Sequence, residues 1–192
     1  VRKLLLNAVV VGVVVGVVPA SALALEPPRA ALQYRAELTR AVHLVWGLHG
    51  PIATMAAQVH QESAWRPDAR SPFAHGLTQF TPDTAQWIGG LDPALRPADT
   101  GNPVWALRAM ARYNRWLYDR VPNRSNACAR WIDILRAYNG GLGWVQREAR
   151  TGKPCAAFRS AANCAENLDY PVRILIRHQP RYLSWGPGVH CA

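Results

Sequence analysis

Apolar residues in this chain recur at helical spacing, and almost nowhere do they alternate as a half-buried strand requires. Over 30–46, Ala31, Tyr34, Leu38, Val42 and Val45 share one helical face. Gly50-Pro51 breaks the chain and opens a second helix, on which Ile52, Met55, Ala56 and Val59 line up. The stretch 64–80 carries Pro67, Ser71-Pro72 and Gly76 and reads as irregular. Thr81-Pro82-Asp83 has the form of an N-cap, a first-turn proline and an acidic first turn. It predicts a short helix that stops at Gly89-Gly90. Asn102-Pro103 repeats the signal ahead of a long helix to Asp119, polar only along Arg108, Arg112, Arg115 and Asp119. So apolar a circumference predicts a place at the centre of the core. A further helix ends at Tyr138, with Cys128, Trp131, Ile134, Leu135 and Tyr138 on one face. Gly140, Gly141 and Gly143 predict a turn, followed by a helix through Val145 to Arg150, a loop over 152–163 and a last helix over 168–177. The tail to Ala192, with Pro180, Gly186, Pro187 and Gly188, is expected to be irregular. Nothing in the 192 residues repeats and no linker divides them, so the pattern predicts a mainly α single domain.

The segment 1–24 stands apart. Arg2 and Lys3 precede an almost uncharged apolar run over 4–18, and Pro19 leads into Ala22-Leu23-Ala24. These are the marks of a secretory signal peptide. The run is shorter than the ~20 residues a spanning helix needs, and Gly12, Gly16 and Pro19 interrupt it. We therefore expect an export signal over 1–24 and a domain over 25–192 acting in the periplasm or outside the cell. An anchor kept uncleaved is the other reading of the same run. All four cysteines, Cys128, Cys155, Cys164 and Cys191, lie beyond it. An even count in an exported chain suggests two disulfides, because the periplasm and exterior are oxidising. The short loop favours Cys155–Cys164, which leaves Cys128 to tie down the tail at Cys191. The cysteines contain no C-x-x-C pair, and the six histidines show no ligand spacing, so no metal and no cofactor are expected.

The chain has 22 Lys+Arg against 12 Asp+Glu, a formal charge of +10. That balance admits an anionic partner, but no Lys/Arg cluster or base-reading motif accompanies it, so no specific nucleic acid is expected. Acids are scarce, and one is well placed. Glu62 closes the second helix at the edge of the apolar face set by Ile52, Met55 and Val59. A carboxyl turned partly into a core loses water and keeps its proton, the condition a general acid needs near neutral pH. Taken alone, these residues are better explained by a helix-terminal Glu in solvent, because charged groups are mostly exposed.

The surrounding residues carry more. Glu62-Ser63-x-Trp65-x-Pro67-x-Ala69-x-Ser71, Gly76-Leu77-x-Gln79-Phe80-x-Pro82-x-Thr84-Ala85 and Ala137-Tyr138-Asn139-Gly140-Gly141-x-Gly143-x-Val145 follow in order. Together they resemble the motifs of the soluble lytic transglycosylase family, and Glu166-x-x-x-Tyr170-x-x-x-Ile174 looks like its fourth. The resemblance spans about 55–174, with the motif core at about 52–177. It implies a single domain of the goose-lysozyme-like α fold that cleaves bacterial peptidoglycan. Four departures touch the groove wall and loops: Thr78 where Met is usual, a loop over 71–76 one residue shorter, Gly140 after Asn139 where Ala is usual, and Pro171 after Tyr170.

The resemblance also implies a reaction needing one acid. Glu62 would protonate the glycosidic oxygen between MurNAc and GlcNAc, then take the proton of the MurNAc C6 hydroxyl as a 1,6-anhydro ring closes. Ser63, Gln79, Phe80, Tyr138, Asn139 and Tyr170 match positions that line the family's site. Of these Tyr138 is expected to orient Glu62, Gln79 and Asn139 to bond the sugar, and Phe80 to form groove wall or core. Trp65 and Trp144 are candidates for sugar stacking, with core packing as the alternative. The other functions to weigh are a hydrolytic muramidase and a non-catalytic peptidoglycan-binding module. The expected partner is the glycan strand, the larger setting is open between a secretion, conjugation or phage apparatus and general wall turnover, and a monomer is the default.

Overall fold

The computed structural model describes residues 26–191, so the predicted export signal lies outside the described residues. Helices run Arg29–Leu32 (α1), Arg35–Trp46 (α2), Ile52–Ser63 (α3), Pro82–Leu91 (α4), Pro103–Tyr118 (α5), Ala127–Gly140 (α6), Leu142–Thr151 (α7) and Ala161–Val172 (α8). A π-helical turn over Arg173–His178 and a 3₁₀ turn over Gln179–Tyr182 continue α8 towards the tail. Among the described residues there are no strands, only isolated bridges that pair Arg70 with His75 and His75 with Phe80. No helix among them is long and apolar enough to cross a membrane.

The predicted start signals operate as caps. Thr81 Oγ1 accepts the Thr84 N–H at 3.2 Å, and Asn102 Oδ1 accepts from Val104 at 2.9 Å. Two boundaries differ from the sequence reading. The first predicted helix is interrupted at Gln33-Tyr34, although its apolar stripe runs through the break. The last helix begins at Ala161 rather than at 168, because Ser160 Oγ caps the Asn163 N–H at 3.3 Å. Pro171 lies buried inside α8, whose backbone widens into the π turn two residues later.

The centre of the core belongs to α3, not to the long α5 as its composition suggested. Every residue of α3 from Ile52 to Val59 is buried. Ala53, Ala56 and Ala57 let neighbours approach on all sides, and the two polar residues are paired. Gln58 Oε1 accepts from Asn114 at 2.7 Å, and Thr54 Oγ1 donates to Gln179 Oε1 at 2.5 Å. Their partners lie 125 and 56 residues away in sequence, and these bonds make burial of Thr54 and Gln58 tolerable. α2 packs on α5, while the π and 3₁₀ turns cover α3.

The tail is irregular after Tyr182, as expected, yet it is structural. Tyr182, Trp185 and Val189 are core residues. The Pro187 carbonyl accepts the Ala53 N–H at 2.9 Å at the open start of α3. Disulfides join Cys128 to Cys191 and Cys155 to Cys164, the pairing expected from loop length.

Candidate active site

Glu62 projects from the last turn of α3, immediately before a sharp change of direction. Ala64 and Trp65 both adopt left-handed backbone, at φ of 50° and 65°. The conformation is costly for residues with a Cβ and persists where packing imposes it. Here the packing is the Trp65 indole, wholly buried, with its N–H donating to the Tyr182 hydroxyl at 2.7 Å. Full burial removes Trp65 as a sugar-stacking candidate. Its large apolar surface anchors the chain behind the acid instead. Trp144 packs against Phe158 and does not line the cleft.

The chain then crosses in front of Glu62 and returns at Gln79, a third left-handed residue with φ of 49°. The loop is pinned at several points. Ser71 Oγ accepts the Ala74 N–H at 3.0 Å, and Ser71 N–H donates to the Ala74 carbonyl at 2.8 Å. Gly76 passes so close to Thr100 that a Cβ there would lie 2.0 Å from its carbonyl oxygen. The Gln79 amide nitrogen donates to the carbonyls of Gly76 at 2.9 Å and Ala69 at 3.2 Å, which leaves its oxygen to meet a ligand.

A cleft of about 490 Å³ opens between this loop, α4, α5 and α6. Of the predicted site residues, Glu62, Gln79, Phe80, Tyr138 and Asn139 line it together. Phe80 is nearly buried and wedges against Trp105, Tyr113 and Tyr138, so it shapes the wall. Ser63 does not line the cleft. It is buried, and its hydroxyl donates to the Val59 carbonyl at 3.3 Å within α3. Tyr170 lies buried behind the cleft rather than on its surface.

Electrostatics single out Glu62. Burial pushes its carboxyl up to about 8, and the Glu166 carboxylate adds to the rise. Two groups oppose them: the Tyr170 hydroxyl, which donates to Glu62 Oε1, and the Arg173 guanidinium. The side chain that holds the Glu62 carboxyl is therefore Tyr170, whereas Tyr138 was the one expected from sequence. The Tyr138 hydroxyl is spent on the backbone carbonyl of the buried Thr78 at 2.8 Å. Burial raises both tyrosines well above their ordinary range, with the Glu62 charge adding to it, so both remain donors. The second carboxylate on the cleft, Glu166, is paired with Arg173.

Several contributors escaped the sequence reading. Ser71, Phe73, Ala74, Thr81, Thr84, Tyr113 and Glu166 also line the cleft. Asn167 donates to the Arg136 carbonyl at 2.8 Å and to Asn139 Oδ1 at 3.1 Å, fixing the Asn139 amide. The Asn167 amide and the Arg159 guanidinium occupy the space where an alanine at 140 would put its methyl, since a Cβ on Gly140 would lie 2.5 Å from each. The Gly140 departure thus has a steric cause.

The family whose model is described as Transglycosylase SLT domain matches residues 49–156, more than half of the chain. The chain belongs to that family. Its matched span holds Glu62, Gln79, Tyr138 and Asn139 and ends before Glu166 and Tyr170, which α8 adds from outside it. Similar relatives include membrane-bound lytic murein transglycosylase F of Pasteurella multocida, 34% identical over 100 residues, 52% of this chain and 19% of that protein. Its counterpart from Maricaulis maris is 38% identical over 90 residues, 46% of this chain and 18% of that protein. The chain thus matches less than a fifth of the length of these relatives. Among solved structures, the 70 kDa soluble lytic transglycosylase of Escherichia coli aligns at a TM-score of 0.63. That alignment has 23% identity over 80% of this SLT-domain chain and 25% of the other, which makes it a likeness of fold.

Proposed function

We propose that this chain is a peptidoglycan lytic transglycosylase in which Glu62 is the only acid and base. The observation that carries the reading is a carboxyl raised to about 8 on the wall of a cleft, facing no free second carboxylate among the lining residues. Glycosidases that use water place two carboxylates on either side of the bond, roughly 5–9.5 Å apart. Here Glu166 is engaged by Arg173, and Glu62 enters protonated at neutral pH.

Glu62 then donates its proton to the oxygen between MurNAc and GlcNAc, and the C1–O bond breaks. The acetamido group of MurNAc shares the charge that develops at C1. Glu62 is now a carboxylate held by the Tyr170 hydroxyl, which favours the charged form. It accepts the proton of the MurNAc C6 hydroxyl as that oxygen closes on C1. Attack from within the same sugar has a high effective concentration and needs no water. Gln79 and Asn139 line the same cleft and suit the sugar's hydroxyl and acetamido groups, while Tyr138 fixes the wall between them.

We place the reaction outside the cytoplasmic membrane, with 1–24 as the export signal and 25–192 as the working domain. Two disulfides support an oxidising compartment, and the basic surface suits an anionic wall polymer. Digestion of purified sacculi tests the reaction. Mass spectrometry should find 1,6-anhydroMurNAc ends, and Glu62→Gln should release none while keeping its circular dichroism. Reducing MurNAc ends would make the chain a hydrolytic muramidase, and binding without release would make it a glycan-binding module.

A further inference from the structure

Thr84 and Tyr113 line a second depression as well as the cleft, so the two adjoin across these side chains. The second depression, about 510 Å³, is bounded by Asp83, Trp87, Trp116 and Leu142. Trp87 projects from α4 with 41% of its surface exposed. Its ring meets Trp116 at 4.7 Å and 81°, and Tyr113 at 5.9 Å and 79°. Two perpendicular aromatic neighbours fix the indole without covering it. Trp116 is backed in turn by the Arg120 guanidinium, 4.3 Å from its ring. A rigid, exposed tryptophan beside the cleft is a surface that the fold itself does not use.

We propose that the Trp87–Trp116 depression is a sugar-stacking subsite, holding a residue of the glycan strand beyond the two sugars at the broken bond. The inference rests on the glycan-cleaving reading given above. A pyranose ring presents a face of C–H groups that suits the negative face of an indole. Asp83 stands beside it as an acceptor for sugar hydroxyls or an acetamido N–H. Strand binding there would hold the polymer in register while Glu62 acts on one bond.

Titration calorimetry of the intact protein with GlcNAc dimer, tetramer and hexamer tests this directly. Native protein should bind the hexamer about tenfold more tightly than the dimer, the scale of one aromatic stacking contact. Trp87→Ala should lose that gain while its dimer affinity stays within about twofold of native and its melting temperature is retained. Trp87→Tyr should keep most of the gain, because it retains a ring. A hexamer bound no better than the dimer, or a gain that survives Trp87→Ala, overturns the subsite. The two readings fail separately. Anhydro ends from sacculi with no length dependence would remove the subsite alone, whereas length-dependent binding without release would remove the reaction alone.

Discussion

Glu62 holds its proton through burial, and Tyr170, 108 residues away, holds the same carboxyl ready to let it go. Its pKa of about 8 lies above the 4.5 of a free glutamate, so between those values the folded chain carries a proton that the unfolded chain has released. The stability linked to that proton is complete below pH 4.5 and disappears as pH rises through 8. Glu62→Gln cannot ionise. It should melt close to native at pH 4.5 and increasingly above it towards pH 8, by on the order of 3 kcal/mol once the open side of the cleft is discounted. Thermal melts across pH check this, and a constant difference would contradict it. Cleavage by the native protein should fall as pH rises through about 8, since only the acid form donates. At this scale the acid was legible from the motifs around it, since its place at the edge of an apolar face suited a solvated glutamate as well. The fourth motif marked Tyr170 as a site residue, but its bond to Glu62 was not legible, because a contact that distant in sequence leaves no local pattern.

The loop between α3 and α4 is the element that makes the cleft, and its backbone is set by close approach. Gly76 has φ of +83°, and a Cβ would meet the Thr100 carbonyl at 2.0 Å. Gly76→Ala should therefore cost about 2–4 kcal/mol and lower turnover as well, since Gln79 hangs from the Gly76 carbonyl. Gly90→Ala is the matched control: no heavy atom lies within 4 Å of its Cβ position, and it sits in a helix, so it should gain about 0.5–1 kcal/mol. Urea unfolding of both variants gives the comparison, and equal effects would refute the steric account. Helix starts marked by Thr81 and Asn102 were readable because a cap is a local hydrogen bond. The same logic applied to Ser160, which was overlooked among the loop residues around it. The break at Gln33-Tyr34 left no signal, because the apolar pattern continues across it.

Across the whole molecule, Cys128–Cys191 closes a separation of 63 residues and Cys155–Cys164 one of 9. Restricting the unfolded chain predicts about 4 kcal/mol for the first and about 2.5 for the second. Paired Cys→Ser variants should follow that order in denaturant midpoints, and the reverse order would show that native-state effects dominate. Losing the long bridge should also loosen the strap that carries Trp185 and Val189 into the core and the Pro187 carbonyl onto α3. The sequence by itself determined a mainly α domain, its main helix starts, an even cysteine set and the motifs that surround Glu62. Those features follow from spacing within a few residues, where local geometry decides. Only the tertiary structure decided that α3 lies at the centre, that Tyr170 rather than Tyr138 holds the acid, and that Trp65 is an anchor while Trp87 is left open. Each of those depends on partners far apart in the chain, and burial and pKa exist only once the partners have met.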